Sequence, residues 1–139
     1  MRMYSLFIFS AIALATVADA KGFRRGQVPN GGQIGCVLCH VDPEGGGRLN
    51  VFGQLVEDGY LDGGNVVWGP ALAALDADGD GVTNGEELLD PDGAWRPGDE
   101  PPGDPRRLSL PFDAASMPPT AIATATWAKI KGLFSERTE

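Results

Sequence analysis

Apolar residues along the chain occur in short groups separated by glycine and proline, a pattern that predicts a small domain with few regular elements. Short helices are predicted at about 51–59 and 69–75, with a single helical turn at about 85–89. The glycine-rich stretches at 22–35 and 41–53 indicate loops. The predicted fold is therefore small, mainly irregular and α-helical, with few or no strands.

Prolines then recur from residue 91 to residue 105 and forbid regular helix there. The composition around 111–120 is that of a linker. Beyond it, apolar residues recur at the spacing of one helix face, at Ala123, Trp127, Ile130 and Phe134. This stripe predicts a C-terminal amphipathic helix that packs on the domain or, because two lysines lie in the same stretch, contacts a membrane surface through residues 121–135.

An unbroken run of apolar or small residues extends from residue 6 to residue 15, after a positive start at Arg2. Ala18-Asp19-Ala20 follows with the small-x-small pattern that a signal peptidase cleaves. The alternative, a membrane anchor, needs roughly 20 apolar residues, and this run is shorter. The pattern predicts a signal peptide at residues 1–20 and a periplasmic or secreted protein.

Acidic residues outnumber basic ones, so the 139-residue chain has a formal net charge of -8. Nucleic-acid binding needs a basic face and is not expected, whereas an acidic exported protein is suited to carrying cations. The length after the signal peptide suffices for one small domain, predicted at 21–112, with a linker and the C-terminal helix at 113–139. Because the chain has only two cysteines, this domain must take stability from bound groups.

The twelve residues from Asp76 to Glu87 have the spacing of an EF-hand calcium loop. Calcium prefers six to eight oxygen ligands, and such a loop can surround it if the chain turns sharply at position 6, which is Gly81. A solvated acidic turn would not need this spacing. The predicted ligands are alternate carboxylates, a backbone carbonyl, a direct or water-mediated amide and a bidentate carboxylate: Asp76, Asp78, Asp80, Val82, Asn84 and Glu87.

Two features distinguish this loop from a paired EF-hand sensor. Position 8, where a branched apolar residue is usual, is Thr83. The sequences Gly69-Pro70 and Asp90-Pro91 leave room only for short flanking helices. The loop is therefore predicted to be solitary and structural, as in extracellular calcium repeats.

The run from Cys36 to His40 matches the Cys-x-x-Cys-His attachment pattern for c-type haem. Two thiols at this spacing can add to the two haem vinyl groups, and the imidazole that follows can ligate the iron. His40 is the only histidine in the chain. The pattern predicts a covalent haem c at Cys36 and Cys39 with His40 as the proximal ligand.

Other states of this motif stay open. Cys36 and Cys39 could form a disulfide, which an oxidising compartment favours. Zinc would need a fourth ligand, and no further Cys or His exists to supply it. If haem is present, Met117 is the candidate distal ligand, because it is the only methionine after the signal peptide and a proline follows it. It could equally be an ordinary linker methionine, which would leave a five-coordinate iron.

Two blocks of the sequence resemble the temptin family. They are Gly45 to Gly53 and Leu75 to Leu88, the second followed by Asp90-Pro91, and the similarity extends from about Phe23 to Pro111. The resemblance implies a secreted binding module with a calcium loop and no enzymatic activity, from a family first known in a molluscan water-borne pheromone. It also implies that animal members carry a disulfide cysteine soon after the Asp-Pro pair. Here Asp92-Gly93 occupies that region, which favours a haem variant of the scaffold.

Together these features predict a non-enzymatic, exported monohaem c-type cytochrome that carries one structural calcium ion. It would transfer single electrons to a redox partner protein, and the glycines after His40 would let backbone approach the haem closely. The alternative is a non-haem secreted calcium-binding interaction module with a Cys36–Cys39 disulfide.

Overall fold

The computed structural model describes residues 22–119. Its regular elements are short helices and one two-stranded antiparallel sheet, joined by turns and loops. The elements in chain order are α1 (Gly31–Ile34), α2 (Val51–Gly59), β1 (Leu61–Asp62), β2 (Asn65–Val66), α3 (Pro70–Ala73) and α4 (Asn84–Glu87). Further 3-10 turns lie at Gly22–Gln27, Cys36–Leu38 and Pro105–Arg107. The stretch 22–35, predicted as loop, thus contains a 3-10 turn and α1.

Helix α2 is the longest element of the described region, and local sequence explains where it begins. The Asn50 side chain accepts a hydrogen bond from the Gly53 amide at 2.9 Å, which caps the first turn. Phe52, Gly53 and Val56 are buried, so one face of the helix packs against the core. The helix occupies the residues 51–59 for which the sequence predicts one.

The small sheet is a hairpin whose turn is made of two glycines. Leu61 pairs with Val66 and Asp62 with Asn65. Gly63 and Gly64 between them have φ values of 54° and 85°. A two-residue hairpin turn with φ positive at both positions is of type I′, which glycine adopts without strain.

One apolar core joins the segment that contains the cysteine motif to the segments on either side of the acidic loop. Its largest fully buried side chains are Leu38, Phe52, Leu72 and Leu88, each at most 1% exposed. They come from the Cys36–Leu38 turn, from α2, from α3 and from the end of α4. The cysteine motif and the acidic loop therefore belong to one packed unit.

Buried polar side chains form hydrogen bonds to backbone groups that longer helices or strands would otherwise satisfy. Asn30, only 3% exposed, donates hydrogen bonds from its side-chain nitrogen to the carbonyls of Leu88 (2.9 Å) and Pro102 (3.0 Å). Asp90 accepts the Trp68 indole N–H at 2.7 Å and two backbone amides of the following turn. These bonds satisfy irregular backbone that would otherwise be buried without partners.

Two sequence predictions lie outside the described residues: the signal peptide at 1–20 and the C-terminal helix with its contact surface at 121–135. Within residues 22–119, no helix is both long and apolar enough to cross a membrane.

Gly53→Ala is expected to destabilise the fold by roughly 2 kcal/mol. A Cβ at this position would overlap the backbone carbonyl of Cys39, which already accepts a hydrogen bond from the Asn50 amide at 3.0 Å and so cannot move freely. Gly59→Ala in the same helix is the matched control, because its Cβ would meet nothing within 4 Å. Urea denaturation of both variants measures the difference, and equal midpoints would contradict the close approach.

Candidate functional site

The acidic loop between α3 and α4 brings three carboxylates together. Asp76, Asp78 and Asp80 each offer an oxygen, and these oxygens lie within 4.8 Å of one another. Gly79 and Gly81 have φ values of 81° and 91°, which let the chain curl around the cluster. Among residues 22–119, this is the one group of three or more Asp, Glu, His or Cys side chains that lie this close together.

Backbone amides of the loop fix the orientation of these carboxylates. The two oxygens of Asp76 accept hydrogen bonds from Gly79 (2.7 Å) and Gly81 (2.9 Å), and Asp80 accepts one from Val82 (2.7 Å). The bond from the Gly81 amide, followed by smaller contributions from other backbone amides, lowers the pKa of Asp76 below its ordinary value. Asp76 therefore stays ionised.

Three carboxylate oxygens at the loop are buried and have no hydrogen-bond partner within the described residues: Oδ2 of Asp78, Oδ2 of Asp80 and Oε2 of Glu87. Glu87 has no exposed surface, and its other oxygen accepts a hydrogen bond from the Ser109 hydroxyl at 3.0 Å. Burial raises the pKa of Glu87 to about 8; the Ser109 bond opposes this, and the three aspartates reinforce it. Burial also raises the pKa of Asp78.

Thr83 and Asn84 connect the loop to the rest of the fold. Thr83 is the N-cap of α4: its hydroxyl accepts the Glu86 amide, and the Glu86 carboxylate accepts the Thr83 amide at 3.0 Å. The fully buried Asn84 donates to the Leu72 carbonyl at 2.9 Å and accepts the Ala77 amide at 3.2 Å. Asn84 therefore ties the two ends of the loop together. Its ligand role and that of the Val82 carbonyl stay predictions.

Sequence reasoning missed Ser109. This residue is 1% exposed, its hydroxyl orients Glu87, and its amide donates to the Glu87 carbonyl at 3.2 Å. It lies 22 residues beyond Glu87, after the proline-rich stretch, and no loop spacing points to it. The only available signal was a lone serine in the apolar sequence between Leu108 and Pro111.

The cysteine motif forms a separate site. Cys36 starts a 3-10 turn, and its carbonyl accepts the amides of Cys39 (3.2 Å) and His40 (3.0 Å). Both thiols are free and half-buried, and burial raises the pKa of Cys39 to about 11. His40 bridges to Leu49 across the glycine-rich loop, and its Nδ1 is buried with no partner among residues 22–119. The three motif residues line a cleft of about 520 Å³.

Comparison with known proteins bears on the function predicted from this motif. A model of the temptin C-terminal family matches residues 18–112, which contain both the loop and the cleft. The chain is also 36% identical over 124 residues to temptin of Aplysia californica, an alignment that covers 81% of this chain and 94% of the relative. The chain belongs to the temptin family. No solved structure matches it.

Temptins are secreted pheromone proteins and not cytochromes, so the prediction of a haem-bearing electron carrier with a redox partner protein is wrong. The haem c ligation assigned to Cys36, Cys39 and His40 is withdrawn with it, and so is the distal role of Met117. Met117 is half-buried in the segment after Pro111 and is not among the residues that line the cleft. The Cys-x-x-Cys-His spacing here serves a tight turn beside α2, a use that the motif alone does not distinguish from haem attachment.

Membership of the temptin family confirms three other predictions. The resemblance to this family, drawn from the blocks at 45–53 and 75–88, is confirmed. Temptin is secreted, in agreement with the predicted export of this chain. The family is not enzymatic, as expected from the sequence.

Proposed function

We propose that this temptin relative is a secreted interaction module that binds one calcium ion in its Asp76–Glu87 loop and acts by contacting a receptor or other partner protein. The observation that carries the calcium proposal is the set of three buried oxygens on Asp78, Asp80 and Glu87 that lack partners within the described residues. Buried carboxylate oxygens without a partner are costly. A cation at this place would offset that cost.

The chemistry of the donor set favours calcium over other cations. The three clustered side chains are carboxylates, which suit hard cations, and no thiol or imidazole is part of the cluster. Magnesium demands a tighter octahedral shell and usually keeps several waters, whereas calcium accepts the larger and less regular shell that a loop of this length provides. When bound, the ion would neutralise the negative charge of the clustered carboxylates.

The residues around the cluster would turn ion binding into stability of the whole domain. Glu87 is held by Ser109, so the ion would join the loop to a segment that follows it by 22 residues. Asn84 joins the same loop to α3 through the Leu72 carbonyl. Through these contacts, an ion at the loop would order the surface formed by α3 and by the segment around Ser109. A partner protein would then bind a preformed surface.

Isothermal titration on the calcium-stripped protein tests the calcium proposal. We expect one site with a Kd near 0.1 mM, in the range of extracellular calcium modules. Asp78→Asn should weaken binding at least tenfold. Asp62→Asn, which removes an equal charge from an exposed position in β1, should not. No heat at several millimolar calcium, or equal loss in both variants, would refute the site.

The cysteine pair supports a disulfide in place of the haem. In a 3-10 turn the side chains at positions i and i+3 lie one above the other, which brings the Cys36 and Cys39 thiols to the same side. Oxidation would remove one hydrogen atom from each thiol and pass two electrons to an oxidant of the export compartment. The bond would clamp the turn that packs beside Gly53 of α2.

Intact mass distinguishes the disulfide from free thiols. The protein secreted without reductant should be two hydrogens lighter than the reduced chain and should resist iodoacetamide. After reduction, Cys39 should alkylate more slowly than Cys36, because its pKa of about 11 leaves little thiolate at neutral pH. Cys36→Ser is the control, since its Cys39 should be free without reduction. Alkylation of both thiols in the untreated protein would contradict the disulfide.

A further inference from the structure

The cleft beside the cysteine motif is a second site that the calcium loop does not help to form. It is bounded by the 3-10 turn at Gly22–Gln27, by the glycines 45–47 and by α2. None of the residues 76–87 lines it. Its volume of about 520 Å³ is within the range of small-molecule binding sites.

Positive charge is concentrated at this cleft. Residues 22–119 contain six of the eleven basic residues of the chain, all arginines, in a protein with a net charge of -8. Three of those six line the cleft: Arg24, Arg25 and Arg48. Glu57 is the single carboxylate among the described lining residues. A cluster of this kind in an acidic protein creates a local positive potential.

The arginine charges are not neutralised within the described residues. The ion pair found there joins Arg106 to Asp104 and includes none of the cleft arginines. Arg24 is oriented by a hydrogen bond from its Nε to the Gly64 carbonyl at 2.8 Å. Arg25 and Arg48 are exposed at the cleft and are available to an incoming anion. Arginine guanidinium groups bind carboxylates and similar anions through paired N–H donors.

The interior of the cleft is apolar. Val56 and Val66 are 4% and 7% exposed, and Leu49 and Leu61 add half-buried aliphatic surface. Gly45 keeps the space open, because a Cβ there would lie 3.3 Å from the Cys36 sulfur. An apolar interior with charge at its rim matches a ligand that has an apolar body and one anionic end.

We infer that this cleft binds a small amphipathic organic anion. Its charged group lies beside Arg25 and Arg48, and its apolar body lies against the aliphatic side chains of α2 and β2. The arrangement does not favour a soft metal ion, because Cys36, Cys39 and His40 do not form a group of ligand atoms within 4.8 Å of one another among the described residues. The inference does not rest on the calcium proposal, since the two sites share no residue.

Titration of the full secreted chain with decane-1-sulfonate in about 1 mM calcium tests this inference. Decyltrimethylammonium has the same alkyl chain and the opposite charge, and the net charge of -8 favours this cation wherever binding is non-specific. We expect the sulfonate to bind at least tenfold more tightly than the cation. Methanesulfonate, which lacks the apolar body, should bind at least tenfold more weakly than decane-1-sulfonate.

Matched variants locate the binding. The double variant Arg25→Gln/Arg48→Gln should lose at least tenfold in affinity for decane-1-sulfonate, and higher salt should weaken wild-type binding. Arg106→Gln/Arg107→Gln removes the same charge outside the cleft and should change affinity less than twofold. Both variants should retain the wild-type urea midpoint, which shows that they are folded. No sulfonate binding at about 5 mM, equal binding of the cation, or equal loss in both variants would overturn the inference.

Discussion

Removal of calcium is expected to lower the Tm of this protein by about 10–20 °C. An ion present at about 100 times its Kd stabilises the folded state by about 2.7 kcal/mol. For a domain of this size, each kcal/mol moves the Tm by roughly 4–8 °C. The effect is large because the cluster carries charges that only a cation would balance: the oxygens of Asp78, Asp80 and Glu87 are buried without partners in the described region.

Calorimetry in about 10 mM calcium and in excess EDTA measures this difference. Asp78→Asn should show a much smaller difference between the two conditions, because it removes a ligand and one of the repelling charges. Magnesium at the same concentration should restore only part of the stability, since it surrenders its water shell reluctantly. A Tm that does not change on chelation would remove the ion from any structural role, even if titration detects weak binding.

The parts of the fold that local sequence controls could be predicted. Helix α2 begins after Asn50, whose side chain caps it, and the helix ends where residues 51–59 were expected to end. The spacing of Asp76, Asp78 and Asp80 with glycine at 81 is a local pattern, and the structure gathers these three carboxylates. In each case the determining contacts lie within a few residues of one another.

The structure explains why Thr83, and not a branched apolar residue, stands at position 8 of the loop. At position 8 it lacks the apolar side chain that an EF-hand uses, and from the sequence this departure indicates only a solitary loop. Its hydroxyl caps α4 in a reciprocal pair with Glu86. The sequence Thr-x-x-Glu is the signature of this capping box, so the signal was present at 83–86.

The parts that depend on distant contacts could not be predicted. Asn30 with φ of 58° binds carbonyls 58 and 72 residues away, and Ser109 orients Glu87 from 22 residues away. No periodicity connects such residues, because buried polar bonds in irregular chain depend on how the whole backbone folds. The haem prediction failed for a related reason. Cys-x-x-Cys-His specifies only a spacing, and the same spacing also fits the 3-10 turn that Cys36 begins here.

The pH dependence of stability that Glu87 causes is expected to be steep without calcium and nearly flat with calcium bound. In the ion-free protein, burial raises the pKa of Glu87 from its ordinary value of 4.5 to about 8. A carboxyl with a raised pKa stabilises the fold while it is protonated, and that contribution is fully present below pH 4.5 and is lost as pH rises to 8. The ion-free protein should therefore lose roughly 3–5 kcal/mol of stability from this group between about pH 5 and pH 8.

Calcium flattens this slope because the ion and the proton compete for the same carboxylate. Binding should release a proton from Glu87 at pH values below about 8, so calcium affinity should rise with pH across the same window. Asp76 does not disturb the measurement, because its lowered pKa places its own loss of stability below pH 4. Asp78, with a raised pKa, adds to the Glu87 effect in the same direction.

Glu87→Gln separates the titration of this residue from the rest of the protein. Glutamine has nearly the same shape, can still accept the Ser109 hydroxyl, and carries no charge at any pH. In EDTA, the variant should keep most of its stability from pH 5 to pH 8 and should exceed wild type at pH 8. In calcium, it should gain little stability at any pH, because one ligand charge is missing. Urea midpoints for both proteins at pH 5, 6, 7 and 8, with calcium and with EDTA, measure the four slopes. Parallel slopes for wild type in calcium and in EDTA would show that Glu87 does not couple the ion to the proton.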